Sequence, residues 1–109
     1  MLTKFSDLEN KSVLITGGGS GIGAEITKAF IQQGAKVSFV QRTDAEHFCD
    51  KVASEFHSRP YFIKCDVTDL SELKKAVGSA ISVYGDIDIL VNNAANDHRH
   101  ETLNVTEEY

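Results

Sequence analysis

The sequence lacks any apolar run that approaches the roughly 20 residues needed to cross a bilayer. Its first ten residues mix Lys4, Asp7 and Glu9 with apolar side chains, so they do not form the apolar centre of a signal peptide. Only two cysteines are present, Cys49 and Cys65, and they have neither metal-binding spacing nor metal-binding neighbours. Reduced thiols are therefore favoured over a disulfide. We expect a soluble, cytoplasmic protein without a metal site.

Positive charge is also scarce. The chain has 11 lysines and arginines against 16 acidic residues, which gives a net charge of −5. This balance argues against a nucleic-acid-binding surface, because such surfaces are normally basic. Apolar residues make up 41% and charged residues 25% of the chain, as in an ordinary globular protein. At 109 residues, positions 1–109 are expected to form one domain.

Short apolar runs, typical of buried parallel strands, alternate with segments of helical periodicity. We predict strands at 11–16, 37–40, 61–63 and 87–91 and helices at 21–33, 44–57 and 69–84. Gly34 and Gly85 end the first and third helices, and Thr68 is a candidate N-cap for the third. The residues expected to form the buried stripe of the first helix are Ile22, Ile26, Ala29 and Phe30.

This β-α-β-α-β-α-β order predicts an α/β fold with a parallel sheet and helices on both faces. The architecture is that of a partial Rossmann-type, doubly wound sheet with strand order 3-2-1-4. In such sheets ligands bind beyond the carboxyl ends of the strands, at the point where the strand order reverses. Here that point lies between the first and fourth strands.

A glycine-rich loop joins the first strand to the first helix, where residues 16–23 read TGGGSGIG. A helix N-terminus has unpaired N–H groups and a partial positive charge, so it stabilises an anion. Glycine permits both the tight turn and the close approach of a pyrophosphate. The loop is therefore predicted to bind phosphate, with a purely structural turn as the alternative. The candidate residues are Gly17, Ser20, Gly21, Ile22 and Gly23.

The spacing Thr16-Gly17-x-x-x-Gly21-Ile22-Gly23 resembles the cofactor signature of the short-chain dehydrogenase/reductase family. Downstream, residues 92–95 read NNAA and resemble the family's N-N-A-G segment, with Ala95 at the usual glycine. The resemblance extends over essentially the whole chain. It implies an NAD(P)-dependent oxidoreductase that transfers hydride between nicotinamide and a secondary alcohol or ketone.

The end of the second strand is expected to select the cofactor. In dinucleotide-binding folds an acidic residue at this place binds the ribose 2′-hydroxyl of NAD, whereas an arginine accommodates the 2′-phosphate of NADP. Here Gln41 occupies the acidic position and Arg42 follows it. A neutral amide does not repel phosphate and a guanidinium can bind it through two hydrogen bonds, so NADP is favoured over NAD. The nearby carboxylate of Asp44 leaves NAD open, and a solvated Arg42 is the alternative.

The resemblance assigns further cofactor contacts at the ends of the third and fourth strands. It places Asp66 at the adenine amino group and Val67 against the ring, while Asn93 and Ala94 pass beside the ribose. Ala95 is a further candidate cofactor-binding residue. For Asp66 the alternative is a turn residue ahead of the third helix. For Asn92 and Asn93, the alternative is that their side-chain amides tie the loops after the first and fourth strands together.

Residues 96–100, which read NDHRH, give the one indication of substrate. Two histidines near an aspartate suggest a metal site, but a solvated loop before a helix start near Thr106 is favoured. The segment resembles one found in sugar-oxidising members of the family, where it borders the substrate pocket. A sugar or polyol is therefore favoured over a 3-oxoacyl substrate.

The family's catalytic Tyr-x-x-x-Lys pair has no counterpart in the sequence. Tyr61 is followed four residues later by Cys65 and Tyr84 by Asp88, and no residue follows Tyr109. A lysine is needed there because it lowers the pKa of the tyrosine that exchanges a proton with the substrate. We therefore assign no catalytic residue and expect the chain to be the cofactor-binding half of an enzyme, inactive alone.

The chain is expected to associate with further copies of itself, because the resemblance implies a homo-oligomer. The fourth strand, 87–91, would form a sheet edge with unpaired backbone groups, and such edges recruit other chains.

The competing function is a non-catalytic dinucleotide-binding or sensor module. An open reading frame after the Tyr109 codon that encodes the catalytic Ser and Tyr-x-x-x-Lys would favour the enzyme.

Overall fold

The computed structural model describes residues 6–17, 19 and 21–93. After a short 3-10 turn, the elements are β1 (Ser12–Thr16), α1 (Gly21–Gln32), β2 (Lys36–Gln41), α2 (Glu46–Phe56), β3 (Tyr61–Lys64), α3 (Leu70–Tyr84) and β4 (Ile89–Asn92). All seven predicted elements are present, with bounds that differ by one or two residues. Of the predicted site residues, Ser20, Ala94 and Ala95 lie outside the described residues, as does the segment 96–100.

The four strands form one parallel sheet in the order β3-β2-β1-β4. This confirms the predicted α/β architecture and strand order. The register pairs Thr16 of β1 with Val40 of β2 and with Asn92 of β4, while Gln41 of β2 pairs with Lys64 of β3. Because the strands are parallel and in this register, their carboxyl ends lie along one edge of the sheet.

The sheet separates two apolar clusters, and alternate strand residues belong to each. Beneath α1 and α2 the fully buried strand side chains are Val13, Ile15, Val37 and Phe39. Leu14 and Val40 belong to the second cluster, which α3 covers with Leu73, Ala76 and Ala80. The Phe39 ring packs against Phe48 and Phe62 at centroid distances of 5.8 and 5.2 Å. Burial on both faces explains why residues 13–15 of the central strand β1 are all apolar.

The buried line of α1 differs from the prediction. It consists of Gly23, Thr27 and Ile31, at spacing i, i+4, i+8, while Ile22 is 66% exposed and Ala29 is exposed. Only Ile26 and Phe30 of the predicted stripe pack partly against the core. The prediction for Ile22 is wrong because the first turn approaches the loop after β1 through a glycine, which rotates Ile22 away from the sheet.

Two element starts also differ from the prediction. Asp69, not Thr68, caps α3, since its side chain accepts the N–H groups of Ser71 and Glu72 at 3.0 and 3.2 Å. The predicted start of β4 is two residues too early. Asp88 precedes the strand and exchanges two 2.9 Å hydrogen bonds with the backbone of Ser12, through its own N–H and its Oδ2 atom.

Both cysteines are free and buried. Cys49 belongs to the cluster beneath α1 and α2 and Cys65 to the cluster beneath α3. Burial raises the pKa of the Cys49 thiol to about 11, and burial also raises the pKa of Cys65. Both therefore remain thiols at neutral pH. Among the helices of the described part, none is long and apolar enough to span a membrane.

Candidate functional site

The carboxyl ends of the strands bring most of the predicted site residues to one edge of the sheet. The glycine loop follows β1, Gln41 and Arg42 lie at the end of β2, Asp66 follows β3 and Asn93 follows β4. Because β1 lies between β2 and β4, the glycine loop is the centre of this arrangement. The reversal of strand order at β1 and β4 is where ligands bind in open α/β sheets.

The glycine loop turns sharply at both of its ends. Gly17 has φ of 70° and Gly21 has φ of 56°, and both values lie in the left-handed region that favours glycine. The Gly17 N–H donates to the carbonyl of Val40 at 2.6 Å, which holds the start of the loop against β2. Gly21 then begins α1, whose first turn has N–H groups with no partner within the helix. Gly21 and Ile22 are exposed at this helix start.

Gly23 serves the packing of the loop. A Cβ atom at this position would lie 1.8 Å from the Gly17 carbonyl oxygen and 2.6 Å from Nδ2 of Asn93. No side chain fits there without moving the backbone. Gly23 is required by contact between the helix and the protein's own loop, and its role in the approach of pyrophosphate stays a prediction. This close approach brings the start of α1 over the end of β1.

Asparagine side chains join the ends of β1 and β4. Asn93 Nδ2 donates to the Gly17 carbonyl at 3.1 Å, and the Thr16 hydroxyl donates to Asn92 Oδ1 at 3.0 Å. These contacts span 76 residues of sequence. They confirm the structural role considered for the asparagine pair. The ribose contact implied by resemblance for Asn93 stays a prediction.

At the end of β2, Gln41 contacts the glycine loop. Its Oε1 atom accepts the N–H of Gly19 at 2.9 Å, and its Nε2 atom donates to Thr43. The neighbouring Arg42 is exposed. The two residues predicted to select the cofactor therefore differ in environment, since Gln41 is engaged within the protein while Arg42 faces solvent.

Asp66 forms a turn between β3 and α3. Its Oδ1 atom accepts both the hydroxyl and the N–H of Thr68, at 2.6 and 3.0 Å, and its own N–H donates to Glu72 Oε1 at 2.9 Å. The hydrogen bonds from Thr68 lower the pKa of the Asp66 carboxyl, and the positive charge of Arg42 lowers it further. The turn interpretation of Asp66 is confirmed, and its adenine contact stays a prediction, like the packing of Val67.

A cleft of about 220 Å³ lies between the ends of β2 and β3. It is lined by Arg42, Lys64, Cys65, Asp66 and Glu72. Two cationic and two carboxylate side chains thus line one small open space. Sequence analysis missed Lys64 and Glu72. The spacing of Asp69 and Glu72 resembles a capping box and could have indicated Glu72, but nothing in the sequence singles out Lys64.

Within residues 6–17, 19 and 21–93, no group of three or more His, Cys, Asp or Glu side chains could hold a metal ion. The two histidines of the segment 96–100 lie outside that range.

Comparison with known proteins assigns the family. The family model described as short chain dehydrogenase matches residues 11–109. The chain belongs to the short-chain dehydrogenase family. The matched residues contain all four strands, the glycine loop and Asn93, and they include both sequence motifs that suggested the resemblance.

Individual dehydrogenases and reductases are also similar to this chain in sequence and in structure. A probable galactose dehydrogenase of Rhizobium meliloti is 42% identical over 108 residues, which cover 97% of this chain and 42% of that protein. The structure of L-sorbose reductase from Gluconobacter frateurii, complexed with NADPH and L-sorbose, matches with a TM-score of 0.73 and 32% identity over 78% of this chain and 33% of that one. An NADH-dependent reductase complexed with NAD matches with a TM-score of 0.71 and 29% identity, covering 80% and 37%. The chain thus matches only between 33% and 42% of the length of these relatives.

Proposed function

We propose that this chain is the NADP-binding part of an oxidoreductase that transfers hydride between nicotinamide and a secondary alcohol or ketone. The observation that carries the proposal is the glycine loop, which turns at Gly17 and Gly21, opens directly into α1 and is held against the end of β4 by Asn93. The N–H groups and the dipole of the first turn of α1 favour a bound anion. The cofactor diphosphate supplies that anion.

The preference for NADP rests on the end of β2. Gln41 carries no charge and its carboxamide contacts Gly19 and Thr43, so no carboxylate opposes a 2′-phosphate at this position. Arg42 is exposed beside the cleft that also contains Lys64. A guanidinium can bind a phosphate through two parallel hydrogen bonds. The two solved relatives carry NADPH and NAD, so they support a nicotinamide cofactor without choosing between the two.

Fluorescence titration with NADPH and NADH tests this preference. The wild-type chain is expected to bind NADPH more tightly. Arg42→Gln should weaken NADPH binding by about tenfold or more, as expected for loss of a charge-assisted hydrogen bond, and should leave NADH binding nearly unchanged. Lys36→Gln is the matched control, because it removes one positive charge from the exposed opposite end of β2. Tighter binding of NADH by the wild type would contradict the preference.

For the substrate we favour a sugar or polyol over a 3-oxoacyl compound. The names of the relatives from Rhizobium meliloti and Gluconobacter frateurii, a galactose dehydrogenase and a sorbose reductase, support this choice. The segment 96–100 is still predicted to border the substrate pocket. The test is NADP-dependent oxidation of a panel of aldoses and polyols by the enzyme that contains this chain, compared with reduction of a 3-oxoacyl thioester. A clear preference for the thioester would contradict the choice.

We also expect that the 109-residue chain alone does not catalyse hydride transfer, because no tyrosine in it is followed by a lysine at the fourth position. Carbonyl-dependent oxidation of NADPH by a verified 109-residue chain would contradict this expectation.

We also propose that the chain self-associates, since β4 pairs only with β1 among the described strands and so leaves a sheet edge. Light scattering that shows a monomer at high concentration would contradict it. A cytoplasmic location is supported by the two free thiols.

A further inference from the structure

The side chain of Gln41 links the end of β2 to the middle of the glycine loop. Its Oε1 atom accepts the N–H of Gly19 at 2.9 Å. Its Nε2 atom donates to the carbonyl and to the hydroxyl of Thr43, at 3.0 and 3.1 Å. A carboxamide has one acceptor atom and one donor atom, and here both bind groups of the protein itself.

The contact between Gln41 and Gly19 is close. A Cβ atom at Gly19 would lie 2.5 Å from Gln41 Oε1 and 3.0 Å from the Cβ of Ala45, which is buried at the start of α2. The loop therefore rests on both the end of β2 and the start of α2. Glycine at position 19 permits this contact, and the Gln41 carboxamide fixes the direction of the Gly19 N–H.

From this geometry we infer that Gln41 is a positioning residue, which holds the glycine loop in its phosphate-binding shape through the N–H of Gly19. The inference rests on the proposed cofactor site. It assigns to Gln41 a role different from that of the acidic residue found at this position in NAD-binding folds, which reads the ribose directly. Discrimination between the two cofactors then belongs to Arg42, the next residue in the chain.

The arrangement explains why an amide suits this position. A glutamate could also accept the Gly19 N–H, but its carboxylate could not donate to the Thr43 carbonyl and would face that oxygen with a negative charge. An apolar side chain of the same length would leave the Gly19 N–H without its acceptor. Gln41 satisfies both partners without placing a negative charge beside the proposed 2′-phosphate site.

Gln41→Met distinguishes a residue that holds the glycine loop from one that reads the ribose directly. The substitution keeps the length of the side chain and removes its polar atoms. Because NADPH and NADH share the diphosphate, a positioning role predicts that both dissociation constants rise by the same factor, about tenfold. The ratio between them should stay unchanged. Without cofactor, hydrogen exchange of the Gly19 amide should become faster in Gln41→Met. Gln32→Met is the matched control, since it makes the same substitution at an exposed position in the last turn of α1.

Thr43→Val provides a second variant at an exposed site and removes only the hydroxyl that accepts from Gln41. It should weaken both cofactors equally, by about two- to threefold, as expected for one of several neutral hydrogen bonds. If Gln41→Met does not fold, this variant decides the question by the same two measurements.

A change in the NADPH-to-NADH ratio with unaltered Gly19 exchange would overturn the inference and make Gln41 a direct reader of the ribose. Unaltered Gly19 exchange alone would also overturn it. If the wild type binds neither cofactor, the proposed function fails. The exchange measurement then still decides whether Gln41 holds the loop, because it needs no cofactor.

Discussion

The loops that follow β1 and β3 lie at the same edge of the sheet, but they are held in different ways. The glycine loop after β1 is held by Asn93, 76 residues away, and by Gln41, 22 residues from its partner Gly19. The turn after β3 is held by Thr68 and Glu72, which lie two and six residues from Asp66. The side-chain contacts of the first loop come from two neighbouring strand ends, whereas those of the second lie within its own short segment.

This difference separates the two ends of the proposed cofactor site. The phosphate-binding end exists only when β1, β2 and β4 are together, because each strand end contributes to holding the glycine loop. The end proposed for adenine is held by side-chain contacts within the Asp66 turn and the first turn of α3, and it is joined to β2 through the Cys65 N–H, which donates to the Gln41 carbonyl at 2.9 Å. We therefore expect substitutions in the first region to act on the whole fold and those in the second to act locally.

The largest effect is expected at the contact between α1 and the glycine loop. Gly23→Ala places a Cβ atom 1.8 Å from the Gly17 carbonyl oxygen, so the helix and the loop must separate. Overpacking of this kind should lower the free energy of unfolding by about 3 kcal/mol and abolish cofactor binding. Urea unfolding measures the first effect and fluorescence titration the second.

Gly78→Ala is the matched control for this substitution. Gly78 lies within α3, and a Cβ atom there would meet nothing within 4 Å. The same change should therefore stabilise the protein by about 0.5–1 kcal/mol, because alanine favours a helix interior over glycine. Equal destabilisation by both substitutions would show that the loop contact is not what requires glycine at position 23.

The second-largest loss of stability is expected on removal of the long-range hydrogen bond from Asn93 to the Gly17 carbonyl. Asn93→Asp keeps the shape of the side chain but replaces the donor to the Gly17 carbonyl with an acceptor. The two oxygens then repel each other, and we expect a loss of about 2 kcal/mol in the free energy of unfolding. Gln32→Glu adds the same charge at an exposed position with ordinary helical backbone, and its effect should lie within about 0.5 kcal/mol of zero. Similar losses in the two variants would contradict a role for Asn93 in holding the loop.

These contacts mark where sequence reasoning succeeded and where it stopped. The sheet order could be predicted because the strands are short, mainly apolar segments separated by glycines and helical patterns, and because crossover handedness leaves few alternatives. The same topology placed the glycine loop, Gln41 and Asp66 at one edge. The topology therefore predicts which residues meet at the carboxyl edge of the sheet, without any knowledge of side-chain contacts.

The hydrogen-bond partners at that edge could not be predicted in the same way. The contact between Gln41 and Gly19 depends on the rotamer of one side chain and on the shape of a loop 22 residues earlier. Ile22 was predicted to be buried because its spacing fits an apolar stripe, but the close approach at Gly23 sets the rotation of α1 instead. Thr68 was predicted to cap α3, yet its hydroxyl binds Asp66 and the next residue caps the helix.

A smaller and local effect is expected at the true cap of α3. Asp69→Ala removes the acceptor of the Ser71 and Glu72 N–H groups and should cost about 1 kcal/mol of unfolding free energy. Asp69→Asn should be close to the wild type, because asparagine is an equally good N-cap. If the turn after β3 is independent of the glycine loop, hydrogen exchange of the Gly19 amide should be the same in all three proteins. Faster exchange in Asp69→Ala would show that the two regions are coupled.

The smallest effect is expected from the Thr68 hydroxyl, which helps to keep the pKa of Asp66 below its ordinary value. Because the folded-state pKa is lowered, Asp66 stabilises the fold above the pKa of the unfolded chain, about 3.9, and this contribution is lost as the pH falls through the folded-state value. Thr68→Val removes the hydroxyl but keeps the N–H bond, so the pKa of Asp66 should rise towards the ordinary value. NMR titration of the carboxyl measures this shift.

Thr68→Val should consequently be less stable than the wild type at neutral pH, and the part of that difference due to Asp66 should vanish in acid, where the carboxyl is protonated in both proteins. Thr68→Ser keeps a hydroxyl and should retain the lowered pKa of Asp66. A stability difference between Thr68→Val and the wild type that stays constant from neutral pH into acid would mean that the hydroxyl acts through packing. The turn after β3 would then owe its stability to the Thr68 N–H, to Glu72 and to the backbone bond from Cys65 to Gln41, and not to the hydrogen bond of the Thr68 hydroxyl.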